Sequence, residues 1–330
     1  MGERNSKIQS IKGSIKGKII LYAALCTVVV IAVTAIINSL VLRDALKTSE
    51  YNILITEAES TSEIIDEWLV TQASIIETMK SSLESMDKND KDGIMDFLQA
   101  NLGNNKDALM YYCCFGYNGG VLPADHSTLD LDPSTRGWWK DAIAKGELIF
   151  TEPYTDFATG QMIVSVAAPL KISGEQAVVL ADITIDSLIE MVKNVSTDPS
   201  VQTFLLAGDN SVITHHNEEY LPKEEGNTIL TDVVKIDLEN SGVTTFVDYD
   251  KAKKYCIVRE VKNTGWKLGI AQNTSVISGK ITSYLIPPMV VDFILLVISV
   301  IVLNFIIGMM LKPLSEMKRF IKEEVVGAQN

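Results

Sequence analysis

The sequence predicts an α+β protein in which two membrane-spanning helices flank a folded segment, itself built from two antiparallel-sheet modules on one long helix. Three observations predict this class. A long apolar run stands near each end of the 330-residue chain, a helical stretch without Pro or Gly follows the first run, and short strands separated by turns fill most of the remainder. Two antiparallel-sheet modules in tandem on one long helix, between two membrane spans, form a specific architecture.

The first apolar run, residues 19–42, is long enough to cross a bilayer. It has no charged residue over 24 positions, and a spanning helix needs roughly 20 apolar residues. A secretory signal peptide has only about 7 to 15 apolar residues before a small-residue cleavage site. Residues 32–35 resemble such a site, but Ile36 and Ile37 continue the apolar run past it. We therefore interpret this run as an uncleaved transmembrane helix.

The second apolar run, residues 285–311, also has the length of a membrane span. It contains Asp292, and an ionisable residue inside a span usually finds a polar partner or reaches the interface. Two arrangements satisfy this requirement. Asp292 contacts Asn38 of the first span, or it reaches the outer interface after a helix break at Pro287 and Pro288.

The charges that flank the two spans predict the orientation of the chain. Residues 1–18 carry one acidic and five basic side chains: Arg4, Lys7, Lys12, Lys16 and Lys18. Basic residues also follow the second span: Lys312, Lys318, Arg319 and Lys322. Because positive charge is retained on the cytoplasmic side, we expect both termini in the cytoplasm and residues 43–284 outside the plasma membrane.

The exported segment is strongly acidic. Residues 44–284 contain 19 Lys and Arg against 37 Asp and Glu, a net charge of −18 compared with −13 for the whole chain. This balance argues against nucleic acid or anionic lipid as a partner of the segment. Its alternation of apolar runs and turns is that of a folded domain and not of a disordered acidic tail.

Histidines and cysteines indicate neither catalysis nor metal binding. The histidines are His126, His215 and His216, and the sequence has no nucleophile elbow, phosphate loop or set of ligands with metal spacing. The cysteines outside the spans, Cys113, Cys114 and Cys256, are too few for a disulfide framework and are expected as small buried side chains. We expect no enzyme activity, cofactor or metal.

A stalk helix and its connection are predicted for residues 43–104. Residues 46–86 contain neither Pro nor Gly. Apolar residues recur there at steps of mostly three and four, which marks one helical face: Ile65, Leu69, Ile76, Met79, Leu83 and Met86. Such a helix packs on its own domain or on a second copy of the chain.

Two sheet modules follow the stalk, a distal one at 105–196 and a proximal one at 197–284. Alternating apolar segments closed by turns predict the strands. In the distal module these are 109–117, 147–150, 161–170 and 177–185, followed by a helix at 187–195. In the proximal module they are 203–207, 211–215, 244–248, 255–261 and 266–272.

Five short stretches give the chain a family resemblance: "RGWWKDAI" from residue 136, "EPYTD" from 152, "VVLADITID" from 178, "GWKLGIAQ" from 265 and "LKPLSEMKRFI" from 311. With the long helix, the first four resemble the tandem PAS-like double Cache (dCache_1) sensor domain of bacterial transmembrane chemoreceptors, the methyl-accepting chemotaxis proteins. The last resembles the first helix of a HAMP linker, here 312–330. The resemblance implies a homodimeric membrane sensor of a small extracellular metabolite, with a cytoplasmic signalling output outside this chain. The input half of a sensor histidine kinase or a diguanylate cyclase is the alternative.

The distal module holds the candidate ligand-binding residues. The planar guanidinium of Arg136 matches a carboxylate in two parallel hydrogen bonds, and the indole N–H of Trp138 donates only. In double Cache domains that bind amino acids, this pair holds the ligand carboxylate. The resemblance further implies that Tyr154, Asp156 and Asp182 face the ligand ammonium. Asp182 stands in mid-strand between apolar neighbours, where a carboxylate needs a partner or solvent.

Two positions depart from the amino-acid-binding pattern of that family. Leu131 and Trp139 stand where the pattern has tyrosines. These exchanges leave a small organic acid or a pyrimidine open as ligand beside an amino acid. An alternative without a ligand also exists: the tryptophans close the core, Arg136 pairs with Asp132, and Asp156 only forms a turn. For Trp139, core packing and ligand contact remain equally open.

Overall fold

The computed structural model describes residues 15–193, 198, 200–223 and 226–327. The basic residues Arg4, Lys7 and Lys12, on which part of the predicted orientation depends, lie outside these ranges. The chain divides into two compact units, each described separately below. One consists of residues 1–50 and 277–330, and the other of residues 51–276.

Two long helices carry the apolar runs. Helix α1 extends over Ile15–Leu83, so the first predicted span and the stalk form one uninterrupted helix. The last helix, α6, covers Thr274–Gly327 and continues through Pro287 and Pro288, where a break was one of the two expectations. A proline in a membrane helix is tolerated when neighbouring groups compensate for its missing N–H. The segments Leu21–Leu83 and Thr274–Met309 are long and apolar enough to cross a membrane.

Asp292 lies in a cleft within the first unit. The cleft is lined by α1 and α6, and Ser39 is the polar residue of α1 beside it. Asn38, the partner expected from the sequence, is exposed on α1 and does not line the cleft. Consecutive residues are about 100° apart around a helix. Ser39, the residue after Asn38, therefore shares the cleft with Asp292, whereas Asn38 points away from it.

The distal module is an antiparallel sheet with helices. Its elements are α2 (Lys91–Leu102), β1 (Met110–Phe115), β2 (Val121–Pro123), α3 (Gly137–Lys145), β3 (Ile149–Phe150), β4 (Tyr154–Thr155), β5 (Met162–Ile172), β6 (Glu175–Thr184) and α4 (Ile185–Lys193). The strand order is β2-β1-β6-β5-β3, and β4 also pairs with β5. The sheet confirms the predicted antiparallel module, while the three-residue strand β2 was not predicted because it is short.

The proximal module repeats this arrangement in a smaller form. Its elements are β7 (Val201–Leu206), β8 (Val212–Thr214), α5 (Leu230–Val233), β9 (Thr244–Val247), β10 (Lys253–Val261) and β11 (Trp266–Asn273). The order β8-β7-β11-β10-β9 matches the order of the distal sheet. The mixed helix-and-sheet class and the tandem of two antiparallel sheets are therefore confirmed.

The apolar face predicted for the stalk is buried. Five of the six predicted residues are at most 1 % exposed: Ile65, Leu69, Ile76, Met79 and Leu83. The cysteines also follow the expectation, since Cys113, Cys114 and Cys256 are free and buried. Cys113 and Cys114 are consecutive in β1, so their side chains face opposite sides of the sheet. Because both cysteines are buried, the distal sheet is covered on both of its faces.

Candidate functional site

The turn before α3 places Arg136 and Trp138. Pro133–Thr135 forms a 3₁₀ turn that is capped by Asp132, whose Oδ1 accepts hydrogen bonds from Ser134 N at 3.0 Å and Ser134 Oγ at 2.7 Å. Asp132 is therefore used in the cap, and it forms no ion pair with Arg136 among the described residues. Arg136 is the extended N-cap residue of α3, so its guanidinium stays available at the start of the helix.

Strand β4 and the turn after it supply Tyr154 and Asp156. Tyr154 pairs with Ile163 of β5. Asp156 is 7 % exposed, and its Oδ2 accepts from Thr159 N at 2.8 Å and Thr159 Oγ1 at 2.7 Å. Asp156 thus forms the turn that one of the sequence interpretations gave it, and the same residue also lines the cavity described below.

Asp182 is the buried acid of the site. It is 2 % exposed in the middle of the sheet, opposite Ser165 of β5. Its Oδ1 accepts from Ser165 Oγ and, at 3.5 Å, from Tyr154 Oη, and Tyr154 Oη is 2.6 Å from Ser165 Oγ. Burial raises the pKa of Asp182 to about 7, against the lowering effect of these hydrogen bonds and of Arg136. A cation beside Asp182 would restore its charged form.

One cavity of the distal module brings five of the six predicted residues together. Together with the open solvent at its entrance, it comprises about 370 Å³ of space that protein atoms do not fill. The predicted residues in its lining are Arg136, Trp138, Tyr154, Asp156 and Asp182. In the described part of the chain, Arg136 and Asp182 form no ion pair and the indole N–H of Trp138 donates to no residue. The cavity therefore presents an unpaired cation, a free N–H donor and an acid.

Trp139 does not belong to the lining of this cavity. It is 8 % exposed within the distal core, and a Cβ added to Gly116 would lie 2.9 Å from its ring. Its ring meets that of Trp138 edge to face at 6.4 Å between centroids. Since neighbouring helical residues are about 100° apart, only one of the two tryptophans reaches the cavity. Of the two interpretations of Trp139, its position matches core packing.

The cavity also contains residues that sequence reasoning did not assign to it. They are Tyr112, Cys114, Val121, Leu129, Leu131, Phe157, Ala158 and Leu180. Leu131 was noted only for its departure from the family pattern. The alternation along β1 could have indicated that Tyr112 and Cys114 share a face, but not which face. A second, wider cleft of about 1200 Å³ shares Arg136, Trp138 and Tyr154 with the cavity.

No group of three or more His, Cys, Asp or Glu side chains in the described residues could hold a metal ion. His215 lies in an aromatic cluster of the proximal module with Phe204, Tyr220 and Tyr249. Burial lowers the pKa of His215 to about 4. The side chains of the site are thus suited to hold a polar organic molecule through hydrogen bonds and charge.

Comparison with known proteins assigns the family. Residues 34–281 match the Cache domain family, as dCache_1, and the chain belongs to this family. The match covers the second half of α1 and both modules. It agrees with the double Cache resemblance that the four stretches between residues 136 and 272 carry, and it ends before the fifth stretch at residue 311.

The relatives in sequence are receptors of bacterial chemotaxis. Methyl-accepting chemotaxis protein PscA of Pseudomonas syringae pv. tomato is 25% identical over 313 residues, which are 93% of this chain and 48% of the relative. Methyl-accepting chemotaxis protein PctB of Pseudomonas aeruginosa is 22% identical over 329 residues, 97% of this chain and 50% of the relative. The chain thus spans about half the length of these two relatives.

Solved structures agree in fold. The ligand-binding domain of the Pseudomonas fluorescens chemoreceptor CtaA, in complex with L-isoleucine, has a TM-score of 0.61 at 20% identity, covering 72% of this chain and 98% of that one. The ligand-binding domain of the Pseudomonas aeruginosa amino acid chemoreceptor PctB, in complex with L-Gln, has a TM-score of 0.61 at 20% identity, covering 73% and 98%. At this identity the likeness establishes the fold.

Proposed function

We propose that this protein is a transmembrane chemoreceptor-type sensor that binds an α-amino acid in the cavity of the distal module. The observation that carries the proposal is that a cationic and an acidic side chain, Arg136 and Asp182, line one cavity without forming an ion pair with each other. A zwitterion supplies the carboxylate that a guanidinium binds in parallel hydrogen bonds, and the ammonium that Asp182 needs in order to ionise. Relatives that are chemotaxis receptors support the assignment.

In this assignment each residue has a definite role. Arg136 and the indole N–H of Trp138 bind the ligand carboxylate, since both groups only donate. Asp182, with Tyr154 beside it, binds the ammonium. Asp156 contributes negative charge at the same end while its Oδ2 holds the turn with Thr159. Trp139 acts through the core and not through ligand contact.

A hydrogen-bonded route connects the cavity to the long helix. The carbonyl of Asp182 accepts from Leu109 N at 2.7 Å. Two residues earlier, the Asp107 carboxylate accepts from Trp68 Nε1 at 2.7 Å and from Gln72 Nε2 at 3.3 Å, both on α1. A ligand that stabilises one position of β6 would therefore also stabilise one position of α1. Such a shift between the populations of two positions transmits a signal.

The remaining parts of the receptor follow from the same proposal. The sensor works as a homodimer in the plasma membrane, with residues 43–284 outside and both termini in the cytoplasm. The helix after Lys312 is the start of a HAMP linker that passes the signal to a cytoplasmic output. The two apolar helices and the chemotaxis relatives support a membrane-spanning sensor.

The binding assignment is tested on the full chain in lipid nanodiscs by titration with L-α-amino acids. Replacing Arg136 by Gln should weaken amino-acid binding about thirtyfold or more, because truncating one partner of a desolvated charge pair costs about 2–5 kcal/mol. Lys140→Gln removes a charge one turn further along α3, at an exposed position, and should leave affinity unchanged. Binding that survives Arg136→Gln at full strength contradicts the carboxylate assignment.

Asp182→Asn provides the complementary test. The variant keeps the shape of the side chain and removes its charge, so it should weaken amino acids and leave short monocarboxylic acids without an amine unaffected. Equal loss for both ligand types contradicts the ammonium assignment. If a short organic acid or a pyrimidine binds and no amino acid does, the ligand class proposed here is wrong.

A further inference from the structure

The floor of the cavity has a defined direction, set by the register of three strands. Asp182 of β6 lies opposite Met110 of β1, Leu180 lies opposite Tyr112, and Cys114 lies opposite Val178. Cys114 in turn pairs with Val121 of β2. Four residues along a strand cover about 13 Å, so Asp182 and the Cys114–Val121 pair mark two separate ends of one floor.

The Asp182 end is polar and the Cys114 end is apolar. Ser165 and Tyr154 hydrogen bond at Asp182, and the charge of Arg136 acts on both Asp182 and Tyr154. At the other end stand the Val121 side chain and the Cys114 thiol, whose pKa is raised well above its usual value by burial. A neutral thiol behaves as a small hydrophobe, so no charge is available there.

The charges of the lining lie at the polar end of the floor and not at the Cys114 end. Arg136, Asp156 and Asp182 are the charged residues among the lining of the cavity. A bound α-carboxylate uses Arg136, an α-ammonium uses Asp182, and the charge of Asp156 acts on Asp182 at the same end. A charged side chain would therefore be desolvated against Leu129, Leu180 or Val121 without a counter-charge, which is unfavourable.

Phe157 adds an apolar surface at the mouth of this cavity. It is 56% exposed and nevertheless lines the cavity, in the turn between β4 and β5. A large apolar side chain that is half in water gains from contact with an apolar ligand, because burial of apolar area is favourable. Phe157 and the Cys114 end of the floor thus both favour a ligand with an apolar side chain.

From this arrangement we infer that the cavity selects α-amino acids with an uncharged, apolar side chain of about the size of leucine or methionine, with Cys114, Val121 and Phe157 as specificity-determining residues. The inference rests on the proposed function, because it takes the α-carboxylate and α-ammonium as bound at the polar end. A side chain that starts there must extend beyond a methyl group to reach Cys114. Charged amino acids are disfavoured by the missing counter-charge.

The test measures dissociation constants of the full chain in nanodiscs along a series of unbranched amino acids. Alanine, 2-aminobutyrate, norvaline and norleucine differ by one methylene at each step. Affinity should rise about fourfold per step while each methylene is buried. Leucine and methionine should bind at least about tenfold more tightly than arginine, lysine, aspartate and glutamate.

Consecutive cysteines supply a matched pair of variants. Cys114→Ser places a hydroxyl at the apolar end and should weaken leucine and norleucine roughly tenfold while changing alanine by less than about twofold. Cys113→Ser makes the same exchange one residue away, on the opposite face of β1, and should change neither ligand. If Cys114→Ser fails to fold, Leu129→Asn replaces it, with Ile143→Asn as control, since Ile143 packs on the same core outside the cavity.

The outcomes separate the inference from the proposed function. A rise along the series with selective loss in Cys114→Ser supports both. Tighter binding of a charged amino acid than of leucine overturns the inference on specificity and leaves the amino-acid sensor intact. Equal effects of Cys114→Ser on alanine and norleucine also overturn it. Failure of every α-amino acid to bind overturns the proposed function itself.

Discussion

Two adjacent residues show how much the role of a side chain depends on the direction in which it points. Trp138 and Trp139 have the same chemistry and comparable exposure, 7% and 8%. Trp138 lines the cavity, whereas Trp139 packs in the core against Gly116. The role of Asp182 also depends on its position. Burial in mid-strand makes its charged form unfavourable, and for the same reason it raises the pKa of the carboxyl to about 7. At this scale, burial and direction determine what each group can bind.

The pKa of Asp182 predicts a pH dependence of binding. In the ligand-free fold burial raises this pKa to about 7, so the carboxyl is increasingly neutral below that pH and binds an ammonium poorly. Affinity for amino acids should fall up to about tenfold for each pH unit below 7 and level off above it. The measurement is the ligand-induced shift in melting temperature of the full chain at about pH 5.5, 7 and 8.5.

The ligand-free protein should show the opposite trend. A carboxyl whose pKa is raised on folding is favoured in its neutral form, so its contribution to stability is lost as pH rises from about 4 to about 7. Arg136, Asp156 and Tyr154 act on the same carboxyl, so Asp182→Asn isolates its share. A ligand-induced shift that keeps its full pH dependence in Asp182→Asn shows that another group is responsible.

At the scale of elements, the two sheets share one strand order but differ in how their faces are filled. In the distal sheet Tyr112 pairs with Leu180 on the floor of the cavity. In the proximal sheet Phe204 pairs with Gly269, and a Cβ added to Gly269 would lie 1.9 Å from Phe204 Cζ. The ring of Phe204 therefore occupies the space above Gly269.

This packing predicts a large effect of a small substitution. Gly269→Ala forces the Phe204 ring or the strand to move and should lower the free energy of unfolding by about 1–3 kcal/mol, the usual cost of overpacking a core. Gly137→Ala in α3 meets no atom within 4 Å and should be neutral or stabilising by up to about 1 kcal/mol. Thermal unfolding of the full chain, followed by circular dichroism, compares the two. A Gly269→Ala variant as stable as the parent refutes the packing argument.

At the scale of the whole molecule, the acidic module segment is connected to apolar helices on both sides. Helix α1 and helix α6 each continue directly from an apolar segment into or out of the folded unit. A continuous helix transmits displacement along its axis because its hydrogen bonds link every turn. The sensor proposed above uses this helical connection to pass ligand binding to the apolar segments.

The proposed orientation is tested by labelling introduced cysteines in intact cells with a membrane-impermeant maleimide. Thr128→Cys, at an exposed position of the distal module, should be labelled without permeabilisation. Lys18→Cys, exposed before the first span, should be labelled only after permeabilisation. The parent chain, whose Cys113, Cys114 and Cys256 are buried, measures the background. Labelling of Lys18→Cys in intact cells excludes the proposed topology.

The predictable part of the fold consists of its repetitive patterns. The stalk face from Ile65 to Leu83 followed from helical spacing, and the long strands β5, β6, β10 and β11 from apolar alternation. Short elements such as β2 carried too few residues to show a period. The break at Pro287 and Pro288, one of the two arrangements considered for Asp292, does not occur because a membrane helix can continue past prolines.

The sequence by itself determined the class of the protein: two apolar helices, an acidic segment between them, tandem antiparallel sheets and the residue types of the proposed ligand site. These properties depend on composition and local period, which a single chain displays directly. The tertiary structure decided which residues meet. It brought Arg136, Asp182 and Cys114 to one cavity, directed Trp139 into the core and placed Ser39 beside Asp292, because strand register and helix rotation arise only when the elements pack.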